Sequence, residues 1–196
     1  ERSELADSLK KTKITSVAAI IKLLESRLTV VEILRSLVFD LGPFTNERDH
    51  IQQVVENNYW LFGEQYHLVS ADRNMETVLS NYLHFLEKGE KEKFRIEEKK
   101  RLKRPDVFIC RQIDVPDPNS NEYNLEENVI VELKRPSVVI GKDQYRQVED
   151  YMNIIIEEPR FNSQLRKWKF ILLGKQIDSF IEDKYESQKN KGKKFL

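Results

Sequence analysis

Apolar residues recur every three or four positions in the first part of the chain, a period that predicts helix. Thr29 and Glu32 have the spacing of a capping box, which predicts that a second helix begins there and covers residues 30–39. The dipeptide Gly42-Pro43 is expected to end that helix. The pattern therefore predicts a helical hairpin, and residues 1–43 are expected to form an N-terminal helical segment ahead of the main domain.

The apolar positions of this segment form one stripe along a helix. They are Ile14, Val17, Ile21, Leu24 and Leu28. Apolar surface is unfavourable in water, so the stripe must pack against something. Two interpretations remain open: the stripe covers the chain's own domain, or it forms a seam between two copies, which would make the protein a homo-oligomer.

Residues 44–196 show the mixed helix and strand periods of an α/β domain. Helices are predicted over residues 46–58, 75–88, 142–157 and from 178 onward. Extended segments are predicted over residues 65–70, 107–113, 128–133 and 168–173. Turn-forming residues fill positions 114–121, so the two strands beside them are expected to form a hairpin. The native chain is expected to continue past the lysine-rich end at Leu196.

The composition is that of a globular protein, with 39% hydrophobic and 34% charged residues. No apolar run approaches the roughly 18 residues of a membrane span, so no membrane partner is expected. The first residues lack the pattern of a secretory signal, and the cytoplasm is the expected compartment. Cys110, the single cysteine, excludes an intrachain disulfide and is predicted to lie in the core.

Charge is segregated along the chain although the formal net charge is zero. Basic residues dominate the stretch that leads into Pro105 and Asp106. They are Lys99, Lys100, Arg101, Lys103 and Arg104. Such a patch is a candidate surface for binding nucleic-acid phosphates, the alternative being an ordinary solvated face. Arg135, Lys142 and Arg146 are further candidates for contacts with a DNA backbone.

A carboxylate and an ammonium group share one face of the predicted strand at residues 129–134. The strand period of two places Glu132 and Lys134 together, with two valines and a leucine on the opposite face. A hairpin register symmetric about Ser120 would place Asp106 opposite Lys134, and therefore on the same face. Burying these charges is costly unless they are paired or bind a cation.

Asp106 and Glu132 are therefore the candidate metal ligands, because their hard oxygen atoms suit Mg²⁺. Lys134 is expected to orient the attacking water and to stabilise the negative charge that develops during attack on phosphorus. The alternative is a structural ion pair, since a glutamate and a lysine at this spacing are a weak signal on their own. The set predicts metal-assisted hydrolysis of a phosphodiester.

Three segments resemble the PD-(D/E)xK nuclease superfamily: Arg104-Pro105-Asp106, Glu132-Leu133-Lys134 and the helix that bears Gln147 and Tyr151. The last is similar to the QxxxY motif of RecB-like nucleases. The resemblance implies a restriction-endonuclease-like core, an α/β fold with a mixed central sheet flanked by helices, here preceded by the N-terminal helical segment. It also implies that Gln147 acts beside the catalytic residues and that Tyr151 contacts DNA, with helix packing as the alternative for Tyr151.

The segment Asn58-Tyr59-Trp60-Leu61-Phe62-Gly63, together with these motifs, resembles the nuclease domain of Shedu anti-phage proteins over roughly residues 46–180. Tyr59 departs from the pattern, where proline is expected. The resemblance implies a bacterial defence endonuclease that hydrolyses double-stranded phage DNA with metal-activated water. Mg²⁺ is the implied cofactor, with Mn²⁺ able to replace it, and an additional sensor domain or partner protein is also implied. Glu56 is the candidate for the extra acid that many such nucleases place on their first core helix.

Three alternative functions remain open at this point. A repair or restriction nuclease of the same superfamily would share the catalytic core and differ in its decorations. A non-catalytic nucleic-acid or protein-binding module would keep the fold, although such domains commonly lose an acid or the lysine. A domain that assembles a defence complex would use its N-terminal helices to form the homo-oligomer.

Overall fold

Two β-sheets with helices around them form the part of the chain that the computed structural model describes, residues 14–87, 103–115 and 123–189. The strands of the main sheet, in spatial order, are β1 (His67–Ala71), β2 (Val107–Val115), β3 (Tyr123–Leu133) and β5 (Arg166–Leu173). β2 is antiparallel to both of its neighbours, β1 and β3, whereas β3 and β5 are parallel. A separate parallel pair consists of β4 (Val139–Ile140) and β6 (Gln176–Ile177).

Helices connect and flank these strands. The α-helices are α1 (Ile14–Arg35), α2 (Gln53–Asn57), α3 (Met75–Glu87), α4 (Lys142–Glu157) and α5 (Ser179–Lys189). A π-helical segment, Glu47–Gln52, leads directly into α2, and the Asn46 side chain caps it by accepting hydrogen bonds from two backbone N–H groups. The predicted bounds of α4 are confirmed, and α3 begins at Met75 as predicted and is described as far as Glu87. In the described ranges, no helix has both the length and the apolar composition needed to cross a membrane.

α1 is one continuous helix, so the predicted helical hairpin is wrong in this part of the chain. The Thr29 hydroxyl donates a hydrogen bond of 2.9 Å to the carbonyl oxygen of Glu25, one turn earlier, instead of capping a new helix. The helix therefore continues through this position and runs on as a π-helical turn, Ser36–Asp40. It ends before Gly42, as predicted, where a short 3-10 turn begins.

The predicted apolar stripe of α1 lies on the surface rather than on the chain's own domain. Ile21, Leu24 and Leu28 are 51%, 54% and 63% exposed. A different face of α1 contacts the domain: Arg27 forms an ion pair with Glu64, and its guanidinium carbon lies 4.8 Å from the centre of the Trp60 ring. Packing of the stripe on its own domain is therefore wrong for these three positions.

The β2–β3 hairpin differs in register from the prediction by two residues. Val107 lies opposite Val131, whereas a hairpin symmetric about Ser120 would have placed it opposite Leu133. The connecting loop sets the register, and its residues 116–122 lie outside the described ranges. Because side chains alternate with a period of two, a shift of two keeps each strand side chain on its predicted face.

The two faces of the main sheet have separate hydrophobic cores. The first, built with α3 and α4, includes Tyr82, Phe108, Ile130 and Tyr151. The second, built with the π-helical segment and α2, includes Ile51, Val55, Val107, Val129 and Val131. Cys110 is buried, as predicted. Each fully buried large apolar side chain contributes roughly 1.5–3 kcal/mol, so the strand ends that bear Asp106 and Glu132 are firmly held. The mixed α/β fold with flanking helices and an N-terminal helix is confirmed.

Candidate active site

Two carboxylates meet where β2 begins and β3 ends. The final Cα pair of the hairpin joins Val107 and Val131, so Asp106, one place earlier, lies opposite Glu132, one place later. Asp106 Oδ2 accepts a hydrogen bond of 2.6 Å from the backbone N–H of Leu133, which ties the two strand ends together. Asp106 is 7% exposed and Glu132 is 2% exposed. The structure thus places Asp106 opposite the second acid instead of opposite the lysine, which corrects the predicted register.

Glu132 is held by side chains from two elements. Its Oε1 accepts hydrogen bonds of 2.6 Å from Lys134 Nζ and 2.6 Å from Gln147 Nε2. Its Oε2 accepts a hydrogen bond of 2.8 Å from the Tyr151 hydroxyl. Lys134 follows β3 directly, while Gln147 and Tyr151 lie four residues apart on α4 and so project from the same face of that helix. These four predicted residues are brought into direct contact.

Tyr151 is fully buried, so the structure contradicts the DNA contact predicted for it. Its hydroxyl oxygen lies 2.8 Å from Glu132 Oε2 and 2.8 Å from the carbonyl oxygen of Arg104. Gln147 Nε2 also donates to this hydroxyl, at 3.1 Å. Because a hydroxyl has a single proton, Tyr151 can donate fully to only one of its two acceptors at a time. It donates to Glu132 when that carboxyl is ionised, and it can donate to Arg104 when Glu132 bears a proton.

The site has an excess of buried negative charge. Burial raises the pKa of Asp106, and the negative charges of Glu132 and Glu47 raise it further, against the backbone N–H bond and the Lys134 ammonium group. Burial also raises the pKa of Glu132, although hydrogen bonds from Lys134 and the Tyr151 hydroxyl oppose the shift. Three acids and one lysine therefore lie close together, an arrangement that an added cation would stabilise.

No protein family, curated protein or solved structure matches the chain.

The two buried carboxyls have acceptor positions left for a divalent cation. A carboxylate offers about four lone-pair positions, of which the contacts above occupy three on Glu132 and one on Asp106. In the described part of the chain, no group of three or more His, Cys, Asp or Glu side chains could enclose a metal ion. From the described residues, an ion at this site would have the carboxylates of Asp106 and Glu132 and would complete its shell with water and substrate oxygens, which suits Mg²⁺. On these grounds the donor set fits magnesium.

The third acid near the pair is Glu47, whereas the sequence had indicated Glu56. Glu47 lies in the first turn of the π-helical segment and accepts a hydrogen bond of 3.0 Å from the backbone N–H of Arg135. Its charge raises the pKa of both Asp106 and Glu132. Glu56, on α2, is half-buried and makes no contact with either carboxylate among the described residues. An acid in a first turn also interacts favourably with the helix N-terminus, so Glu47 does not stand out in the sequence.

Gln52 is a second residue that sequence reasoning missed. It is 3% exposed, and its Nε2 donates a hydrogen bond of 3.3 Å to the carbonyl oxygen of Asp106. That carbonyl also accepts a hydrogen bond of 3.1 Å from the backbone N–H of Asp72. Gln52 Oε1 has no hydrogen-bond partner within the described ranges. In the sequence, Gln52 is marked only as a polar residue between the apolar positions Ile51 and Val55. In the structure, its hydrogen bond supports the backbone at Asp106.

An apolar pocket of about 410 Å³ lies beside Lys134. Its walls include Leu133 at the end of β3, together with Leu34 from α1 and Val38 from the π-helical turn that follows. The Lys134 side chain is 11% exposed. Lys134 thus lines this pocket together with residues of the N-terminal helix, and its ammonium group is held by the ion pair with Glu132.

The predicted phosphate-binding residues differ in their environments. Lys99, Lys100 and Arg101 lie outside the described ranges. Arg104, Arg135, Lys142 and Arg146 are exposed. Lys103 forms an ion pair with Asp150, with 2.5 Å between Nζ and Oδ2, and its side chain remains 39% exposed. Four predicted cations are thus accessible to a polyanion, on segments that border the two buried carboxyls.

Proposed function

We propose that this chain is a metal-dependent DNA endonuclease with a restriction-endonuclease-like, PD-(D/E)xK core. The observation that supports this most strongly is the buried pair Asp106 and Glu132 at adjoining strand ends, with Lys134 bonded to Glu132 at 2.6 Å. A structural ion pair needs one acid and one base, whereas this site adds a second buried acid and a third nearby. The chain order of β2, β3, α4 and β5, with α4 supplying two contacts to the site, supports the same core.

Each residue of the site has a separate role in the proposed hydrolysis. Asp106 and Glu132 would hold Mg²⁺, or Mn²⁺ in its place. When bound, the ion neutralises charge at the scissile phosphate and lowers the pKa of a water molecule. Lys134 has N–H groups beyond the one that bonds Glu132, and these donate to the attacking water or to phosphate oxygens as negative charge develops. Gln147 and Tyr151 keep the Glu132 carboxylate in its orientation.

DNA is the proposed substrate because exposed cations surround an acidic centre in a chain with no net charge. Backbone contacts by Arg104, Arg135, Lys142 and Arg146 make binding steeply salt-dependent, with a logarithmic slope of about 0.9 for each phosphate neutralised. The more specific proposal, a Shedu-type defence nuclease acting on double-stranded phage DNA, is supported by the sequence resemblance over residues 46–180.

Cleavage of plasmid and linear DNA tests the proposal. The chain is incubated with Mg²⁺, with Mn²⁺ and with EDTA, and it is compared with Glu132→Gln and Lys134→Ala. We expect each substitution to lower the cleavage rate by about 10²-fold or more, the scale found when one group that stabilises transition-state charge is removed. EDTA is expected to abolish cleavage. Circular dichroism and a DNA-binding measurement show whether each variant remains folded and able to bind.

Glu127 offers a matched control for the loss of a buried glutamate network. It is 6% exposed, accepts a hydrogen bond of 2.7 Å from the Tyr66 hydroxyl and pairs with Lys169 at 2.5 Å, which parallels the arrangement at Glu132. Glu127→Gln and Lys169→Ala are expected to cleave DNA at the wild-type rate. Equal loss in both sets would attribute the effect to folding, and full activity of Glu132→Gln would refute the site. A wild-type chain that binds DNA without cutting it would favour the binding or assembly function.

A further inference from the structure

The exposed stripe of α1 follows a heptad spacing. Its members are Val17, Ile21, Leu24, Leu28 and Val31. The intervals between them alternate between four and three residues, and this average of 3.5 matches the a and d positions of a seam between two coiled helices. The last four members are 51%, 54%, 63% and 48% exposed.

The stripe does not help to hold α1 on its own domain. Arg27 makes the ion pair with Glu64 and the ring contact with Trp60, and Leu34 packs against the core that contains β3. These residues lie about a quarter-turn around the helix from the stripe, at 100° per residue. The domain therefore presents a supported helix on which four seam members, Ile21, Leu24, Leu28 and Val31, are exposed and Val17 is half-buried.

We propose that this stripe pairs with the same stripe of a second copy of the chain in a parallel, two-stranded coiled coil. With Ile21 and Leu28 at the a positions, Arg27 is a g residue, and Glu25 and Glu32 are e residues. A parallel pair places Arg27 of one copy beside Glu32 of the other, on both sides of the seam. An antiparallel pair would instead oppose the glutamates of the two copies, which is unfavourable.

Arg27 can make this contact without leaving its own domain. Its guanidinium has five N–H donors, and its side chain is 28% exposed. Arg35 takes the next a position of the heptad and is exposed. A single polar residue at an a position favours one register and a small number of strands. These features select a second copy as the occupant in a defined alignment.

A membrane surface is a poorer match for the same stripe. Helices that lie in a membrane interface have a polar face rich in lysine and arginine. The charged residues of α1 are Lys22, Glu25, Arg27, Glu32 and Arg35. Acids and bases nearly balance, and the two acids border the seam, where they would face anionic lipid. The charge pattern therefore fits a protein partner with the same sequence.

The molar mass of the 196-residue chain tests the pairing, and this measurement is independent of any nuclease activity. Light scattering after size-exclusion chromatography is expected to give twice the 23.3 kDa of one chain. The double substitution Leu24→Glu with Leu28→Glu is expected to give a monomer. Both positions are exposed within one chain, so the variant keeps its fold, which far-ultraviolet circular dichroism checks. A wild-type monomer, or a dimer that survives this change, would overturn the proposal.

Ile33→Glu is the matched control. Ile33 is 45% exposed on the same helix, about 140° around it from Leu28, so the substitution introduces an equal charge away from the seam. It is expected to leave the dimer intact, and a monomeric Ile33→Glu variant would contradict the assignment of the seam. A wild-type monomer that binds anionic lipid vesicles would instead assign the stripe to a membrane surface.

Single cysteines test the parallel direction. Val17→Cys and Val31→Cys are made separately, and Cys110 is buried and does not compete. In a parallel seam each introduced residue lies beside its own copy, within disulfide range, so mild oxidation is expected to yield covalent dimers of both variants. An antiparallel pair can bring at most one of these positions to its own copy. Cross-linking of only one variant would therefore overturn the parallel arrangement.

Discussion

Replacement of Tyr151 by phenylalanine removes one hydroxyl from the centre of the site and leaves the aromatic ring in place. The side chain is fully buried, so bulk water cannot take over the lost hydrogen bonds. Glu132 Oε2 loses its donor at 2.8 Å, and Gln147 Nε2 loses an acceptor at 3.1 Å. The pKa of Glu132 is expected to rise further, because the hydroxyl favours the ionised form of that carboxyl.

The magnitude follows from the number of hydrogen bonds that the hydroxyl can donate. A hydrogen bond to a charged group contributes about 1.5–3 kcal/mol, and the single proton of Tyr151 makes one such bond at a time. The ring of phenylalanine fills the same space, so no cavity is added. We therefore expect the free energy of unfolding to fall by about 1.5–3 kcal/mol at a pH where Glu132 is ionised. In a chain of this size, each kcal/mol lowers the melting temperature by about 2–4 °C.

Equilibrium unfolding in urea measures the loss, and a double-mutant cycle with Glu132→Gln assigns it. The two substitutions are expected to be non-additive by more than about 0.5 kcal/mol, since each removes one partner of the same bond. Tyr59→Phe is the control: Tyr59 is half-buried, and its hydroxyl has no hydrogen bond among the described residues, so a change within about 0.5 kcal/mol is expected. A Tyr151→Phe variant as stable as wild type, or strictly additive effects, would refute the hydroxyl's role in holding an ionised Glu132.

Two further predictions concern stability away from the site. Burial alone would raise the pKa of Glu127, but hydrogen bonds from Lys169, Tyr66 and Arg111 lower it from 4.5 to about 2. The ionised group therefore stabilises the fold above pH 4.5 and loses that effect as the pH falls toward 2. Glu127→Gln should be less stable than wild type at neutral pH and equal to it near pH 2. Urea unfolding measures this difference, and a difference that does not change with pH would contradict the prediction. Gly63 has φ +138°, and an added Cβ would meet the Tyr66 ring at 3.0 Å. Gly63→Ala is expected to lower the free energy of unfolding by about 1–3 kcal/mol, and an unchanged thermal transition would count against it.

Features with local causes could be predicted from the sequence. α4 was predicted with correct bounds because apolar positions such as Val148 and Ile155 recur with the helical period. Glu132 and Lys134 could be placed together because alternation along a strand depends on only a few consecutive residues. Asp106 remained near Glu132 despite the wrong register, since an error of two residues preserves the parity of the strand.

Features with tertiary causes could not be predicted in this way. Gln52 reaches the carbonyl of Asp106 across 54 positions of the chain, and no local pattern encodes that approach. Glu47 joins the site for the same reason. The Thr29 hydroxyl had two choices, a cap for a new helix or a bond to the preceding turn, and the local spacing is compatible with both. The family resemblance assigned Tyr151 to DNA, with helix packing as the alternative. Burial of its hydroxyl depends on three segments meeting, which no local pattern encodes.

α1 is also attached to the domain only through described contacts in its C-terminal half. Its 22 residues span about 33 Å at the usual helical rise, and Arg27 and Leu34, which contact the domain, both lie in its second half. Arg27 and Leu34 are seven residues apart, about 10 Å along the axis, so the helix is fixed to the domain at two points. After these two contacts along the chain, Val38 lines the pocket beside Lys134. A deletion that removes this helix would therefore also remove one wall of the space beside the lysine.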